Sequence, residues 1–238
     1  MDTVIHQASE RGGANFGWLN ARHSFSFGQW HDPAKMHFGQ LRVLNDDIVK
    51  GGGGFPAHPH DNMEIVTIPL HGTLAHKDST GGEGFIQSGD VQIMSAGTGI
   101  RHSEYNASSI AEVNLLQVWV FPKVTNIKPR YDQRTFAKAN RQNNWQTVVS
   151  PDEKDDALWI NQDALFALAD LEKDKELSYS VKFNGNGVYI FVIEGSIKIE
   201  ALTLERRDAA GISEFNDFVI QALQPSQLLA IEVPMKNV

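Results

Sequence analysis

The chain has 238 residues, 41% hydrophobic and 21% charged, with a formal net charge of −8, a pI near 5.5 and no cysteine. It is long enough for one large domain or two of about 100 to 150 residues, and the lack of cysteine excludes a thiol nucleophile, a cysteine-ligated zinc site and any disulfide. The acidic balance without a dense Lys/Arg cluster argues against direct nucleic-acid binding, and no apolar run reaches the roughly 18 residues of a membrane span.

The N-terminus "MDTVIHQASERGGANFGW" has no apolar core behind a basic start, so no secretory signal is expected and the cytoplasm is the expected location. "LRVLNDDIV" (Leu41–Val49) alternates weakly and contains a turn-like Asn45-Asp46-Asp47. "GGGGFP" (Gly51–Pro56) is read as a flexible entry turn, since no Lys-Ser or Lys-Thr follows to make a phosphate loop. His58 and His60 come next, then the β-branched run "EIVTIPLHG" (Glu64–Gly72) and a turn at "STGGEGF" (Ser79–Phe85). "DVQIMSAGTG" (Asp90–Gly99) and "VNLLQVWVF" (Val113–Phe121) read as strands, the second with strict alternation at Leu115, Gln117 and Trp119. Pro122–Arg130 reads as a crossing segment, and the polar "TFAKANRQNNW" (Thr135–Trp145) as a linker or surface element. "PDEKDD" (Pro151–Asp156) is a solvated loop, and a second β-rich stretch runs from about Trp145 to the end. Short strands with turn signals between them predict an all-β sandwich or barrel. The two halves share a pattern of β run, turn glycine and β run, centred on Gly72 and Gly195. That register places apolar residues of the second half where the first has its paired histidines.

All nine histidines lie at or before His102, so a histidine-based site belongs to the first half. On a strand, residues i and i+2 share a face, so His58 pairs with His60 and His102 with Glu104. Imidazole and carboxylate together suit Fe, Mn, Ni, Cu or Zn. Glu64 has the parity of His58 and His60. If that strand is unbroken it competes with Glu104 as a ligand, and periodicity does not choose between them. His6, His31, His37, His71 and His76 read as surface or hydrogen-bonded residues. His23 also reads as structural, though it could approach the site.

"GGFPAHPHDNMEIVTIPLHG" and "GTGIRHSEYN" resemble the two cupin motifs, although Glu64 to Gly72 is one residue longer than usual and Gly97 stands where a proline is common. With "PRYDQRTF" and the opening "RGGANFGWLNARHSFSFGQWHDP", they are similar to the pirin family, including its quercetinase-like members, over Arg11 to about Phe136. The resemblance implies an all-β bicupin of two jelly-roll barrels. A metal-binding domain would span 1–130, a linker or crossing segment 131–145, and a metal-free cupin 146–238. It implies His58, His60, His102 and Glu104 as metal ligands, and so favours Glu104 over Glu64. The expected ion is iron, with Zn, Mn, Ni, Cu or Co as alternatives. The implied reaction opens the central ring of a flavonol such as quercetin with O₂ and releases CO, with Glu104 doubling as a base. The alternative is a redox-dependent regulator that binds a protein partner without turnover. Phe25, Phe27, Met63 and Trp119 are expected to line the pocket.

Overall fold

The computed structural model describes residues 1–236. In the first half the strands are β1 (Asp2–His6), β2 (Gly12–Asn15), β3 (Leu19–His23), β4 (Leu41–Val49), β5 (Gly54–His60), β6 (Glu64–His71), β7 (Thr73–Asp78), β8 (Glu83–Gln87), β9 (Asp90–Ser95), β10 (Ile100–Asn106), β11 (Val113–Val120) and β12 (Arg130–Thr135). The second half has β13 (Gln146–Ser150), β14 (Leu158–Trp159), β15 (Leu165–Leu171), β16 (Glu176–Ser180), β17 (Asn186–Glu194), β18 (Ser196–Ile199), β19 (Leu202–Glu205), β20 (Ala209–Ser213), β21 (Asp217–Ala222) and β22 (Ser226–Pro234). The only helical elements among the described residues are two short 3-10 turns, and no helix is long and apolar enough to cross a membrane.

Each half folds as a seven-stranded sheet facing a four-stranded one. The large sheets run β12-β9-β6-β11-β4-β3-β2 and β1-β20-β17-β22-β15-β13-β14; the small ones run β5-β10-β7-β8 and β16-β21-β18-β19. Matching β6 with β17 and β11 with β22 makes the two orders correspond strand for strand in the small sheets and through the centre of the large ones. The halves are therefore two copies of one cupin barrel. Gly72 and Gly195, the residues that suggested the repeat, sit at equivalent hairpins with φ of +79° and +90°, a region that favours glycine.

The central strands of the large sheets are buried on both faces, and this shapes the sequence. On β11, Leu115, Gln117 and Trp119 point into the first barrel, whereas Leu116, Val118 and Val120 join a core shared with Phe166, Leu168 and Ile231 of the second. On β6, Glu64, Val66 and Ile68 have the parity of that shared core, and Thr67 faces the barrel. One strand thus serves the cavity and the domain interface by alternation alone.

Three expectations need correcting. Asn45-Asp46-Asp47 does not turn; it lies within the unbroken β4, paired with β3 on one side and β11 on the other. Its polar side chains are tolerated because Asn45 bonds His23 and Asp46 pairs with Arg11 and Arg207. The chain also crosses the expected boundaries. Asp2–His6 pairs with β20 in the second domain's sheet, while Arg130–Thr135, most of it assigned to the linker, pairs with β9 in the first domain's sheet. β1 thus covers an edge of the other barrel's sheet and β12 an edge of its own, so neither β20 nor β9 is left as an open edge.

Candidate metal centre and its cavity

His58 and His60 come from β5, and His102 and Glu104 from its neighbour β10. His102 lies directly opposite His58 in the ladder, and Ile100 opposite His60. The register slips between His102 and Glu104, where β5 carries an extra residue around Pro56 and Ala57. Proline has no N–H to give the ladder, so a bulge at this point is its natural consequence. The Pro56 carbonyl is not idle, for it accepts a hydrogen bond from His58 Nδ1 at 2.9 Å. Because a carbonyl only accepts, His58 Nδ1 carries a proton, which leaves Nε2 as the nitrogen able to bind a metal.

The three rings converge. Centroids of His58 and His102 are 4.4 Å apart, those of His58 and His60 and of His60 and His102 both 4.9 Å, and the Nε2 atoms of His60 and His102 approach to 3.0 Å. Burial and the neighbouring histidine hold His60 down at about 4, and burial with three surrounding histidines lowers His102 further. His60 and His102 are therefore neutral, and a cluster of imidazoles of this kind suits a divalent transition metal. One nitrogen from each of His58, His60 and His102 lies within 4.8 Å of the others, and His76, His102 and Glu104 form a second such group.

Glu104 therefore reaches the cluster through His102. Its carboxyl is fully buried between the sheets, accepting hydrogen bonds from Gln117 Nε2 (2.9 Å) and Thr67 Oγ1 (3.5 Å). Burial raises it to about 7, and the two donors oppose that rise. Glu64 sits elsewhere. The chain breaks at Asp61–Met63, with Asn62 at φ +42°, so parity is not carried from His60 into β6. Glu64 faces the domain interface, where it accepts from Ser95 Oγ (2.8 Å) and from the backbone N–H of Asn161 (3.2 Å) in the second domain. His76, expected to be a surface or a hydrogen-bonded residue, is the second. It is 2% exposed, donates from Nε2 to Asp78 at 3.0 Å, stacks on Tyr131 and lies 5.4 Å from His102.

His58 and His60, with Glu104, line a cavity of about 760 Å³ whose walls include Phe27, Trp30, Phe55 and Trp119. Trp119 packs edge-on against His60 at 4.9 Å and against Phe27 at 5.3 Å. Of the four expected lining residues, Phe27 and Trp119 are on the wall. Phe25 instead packs on His6 and Tyr189 in the shared core, because β3 ends at His23 and the alternation stops there; Met63 packs against the Ile65–Met94 cluster. Sequence reasoning missed Asn45 and Asp47 and undervalued His23, all of which line the cavity. The clue was available in the matching parity of 45 and 47, but the turn reading of "NDD" hid it. The corresponding space of the second barrel is filled by Tyr179, Phe218, Ile220 and Ala222, with no histidine to bind a metal.

A double β-barrel with a histidine cluster in one barrel and an apolar core in the other is a bicupin. Residues 4–120 match the pirin family model and residues 147–233 that of the quercetinase C-terminal cupin domain. The chain is 40% identical over 230 residues to quercetin 2,3-dioxygenase of Escherichia coli (strain K12), covering 97% of this chain and 98% of that one. It is 38% identical over 222 residues to a pirin-like protein of Caulobacter vibrioides, covering 93% and 95%. Among solved structures, YhhW from Escherichia coli superimposes with a TM-score of 0.94 at 39% identity over the whole of both chains. The same bacterial pirin in complex with nickel(II) gives 0.92 at 40% identity, covering 98% of this chain and 99% of that one. The chain belongs to the pirin family.

Proposed function

We propose that this chain is a metal-dependent dioxygenase of the quercetinase type, acting on a flavonol-like hydroxy-ketone. The observation that carries the reading is the cluster of His58, His60 and His102, of which the first two, with Glu104, line an aromatic-walled cavity of about 760 Å³. The nickel(II) complex of a relative at 40% identity supports a divalent ion, and the name of a relative at 40% identity supports the substrate class. In this reading His58, His60, His102 and Glu104 hold one divalent ion, iron or nickel among the candidates. When bound, the ion supplies Lewis acidity that lowers the pKa of the substrate hydroxyl.

The remaining work falls to the chain. Glu104, on the cavity wall beside His102, is placed to take up the hydroxyl proton. Gln117 Nε2 donates to one carboxylate oxygen and fixes the direction of the other. Trp119 and Phe27, packed against each other and against His60, keep water off the reacting carbon and orient a flat ring. The flavonol and one O₂ give a ring-opened ester and one CO, so no outside reductant is needed. Metal-replete protein is expected to consume O₂ when given quercetin, and His60→Ala to abolish that consumption. An unchanged rate in His60→Ala would sink the mechanism, and no uptake by the native protein would sink the activity.

A further inference from the structure

One polar group on the cavity wall is used neither by the fold nor by the ligand set proposed above. Asn45 and Asp47 share the inward face of β4. Asn45 has its partner in His23, at 2.9 Å. Asp47 stands one inward step along the strand, between Ala21 of β3 and Leu115 of β11 in the two ladders. Both neighbours are apolar and buried, so neither offers the carboxyl a hydrogen bond, and the charged groups nearest it are Asp46, Glu104 and Arg11. Asp47 is itself only 4% exposed, yet it lines the cavity, and its Oδ1 has no hydrogen-bond partner among the described residues. Leaving such a group unpaired costs about 1–3 kcal/mol. An apolar side chain of similar size would suit the Ala21–Leu115 surroundings better. A buried orphan on a cavity wall is the mark of a group that meets its partner when the cavity fills.

The register says where that partner would be. Trp119, the ring packed on His60, lies opposite Val43, four residues before Asp47. At about 3.3 Å per residue, Asp47 lies roughly 13 Å further along the strand, towards the apolar cluster of Leu19, Val49 and Leu115. The wall between the two positions carries Gln117 and Asn45, opposite each other on adjacent strands. A flat ligand with one edge at the histidines would extend its far ring towards Asp47.

We propose that Asp47 is the hydrogen-bonding partner of a hydroxyl on the ligand ring remote from the histidines, and that it selects polyhydroxylated aromatic substrates over those lacking that hydroxyl. A phenolic hydroxyl both donates and accepts, so it satisfies this carboxyl in either protonation state. The inference rests on the dioxygenase reading and names part of its specificity. It makes Asp47 a specificity-determining residue, with no part in the reacting atoms.

The test is anaerobic binding to nickel(II)-loaded protein, read by quenching of tryptophan fluorescence. Two ligands are compared: quercetin, and the parent flavonol that keeps only the chelating hydroxyl and ketone. Asp47→Leu is expected to weaken quercetin about tenfold, the 1.4 kcal/mol of one hydrogen bond, and to leave the parent flavonol within about twofold. Asp47→Asn, which still donates and accepts, should bind quercetin within about threefold of the native protein. Asp47→Ala only removes atoms and serves if the leucine variant does not fold. Equal losses for both ligands, or no loss for either, would overturn the proposal and leave the dioxygenase reading standing. Failure of the native protein to bind either flavonol would overturn both.

Discussion

Glu64 and Glu104 are both buried carboxyls raised to about 7 by desolvation, yet they face different compartments, one at the domain interface and the other at the histidines. Their amide variants should separate accordingly. Glu104→Gln removes an anionic oxygen beside His102 and is expected to lower metal affinity tenfold or more, on the order reported for loss of groups around a site. Glu64→Gln should leave metal affinity unchanged, because Ser95 and Asn161 are its partners. It should instead alter how stability depends on pH. The folded-state pKa of Glu64 lies above its unfolded value, so between about 4.3 and 7 the folded chain holds the extra proton and stability falls as pH rises, by at most about 1.4 kcal/mol per unit. Urea unfolding of metal-free protein from pH 5 to 8 should give a flatter profile for Glu64→Gln than for the native chain; identical profiles would refute the assignment. The paired histidines were legible in the sequence because i, i+2 spacing on a strand is a local rule. The choice between the two glutamates was not, since it depends on Asn62 breaking the strand, and Asp47 was hidden because its surroundings come from β3 and β11, distant in sequence.

At the level of elements, turn glycines and alternating strands were readable, whereas polar residues inside strands were not. Asn45-Asp46-Asp47 carries the composition of a turn, but tertiary partners on both faces of β4 override that preference. Gly72 and Gly195 show the opposite case, where local composition and tertiary demand agree. At Gly195 the positive φ and the surroundings act together, because a Cβ there would run into the Pro225 carbonyl and Ser226. Gly52 also has a positive φ, of +73°, but faces nothing within 4 Å. Gly52→Ala should therefore cost only the conformational penalty, about 1–2 kcal/mol. Gly195→Ala should add the cost of displacing backbone, for a total of roughly 3 kcal/mol or more. Denaturant unfolding of the pair checks this, and equal losses would mean that the hairpin relaxes around the methyl group.

The molecule as a whole is two barrels that do not stand apart. Their large sheets share one core, Glu64 accepts from the backbone of Asn161, and Arg207 reaches from the second domain to Asp46 and Asn114 of the first. The bicupin division was legible from motif resemblance and the glycine repeat, but the crossing of β1 into the second domain's sheet was not. Nothing local in "DTVIH" shows that it will pair with Ala209–Ser213, about 200 residues away. The reason is tertiary: β20 would otherwise be an open edge, and β1 closes it. Its side chains are largely exposed, so the strand contributes through its ladder and the His6–Tyr189 hydrogen bond at 2.8 Å; just beyond it the Ala8 N–H donates to Asp208 at 2.7 Å. Burial beside Lys35 and Arg11 holds His6 down at about 4, so the ring is neutral and that bond carries no charge at neutral pH. Deleting residues 1–7 removes the ladder and the His6–Tyr189 bond and leaves β20 unpaired on one side. At about 1 kcal/mol for the buried hydrogen bond and a comparable amount for the ladder, the loss should be roughly 2 kcal/mol, or about 4–8 °C in Tm. The exposed edge should also make the truncated chain self-associate at high concentration. Metal affinity should not change, since His58, His60, His102 and Glu104 lie on β5 and β10 in the other barrel. Calorimetry, light scattering and metal titration of the truncated chain test the three parts together. A fall in metal affinity as large as the fall in stability would show that the N-terminal strand supports the site and not only the barrel it closes.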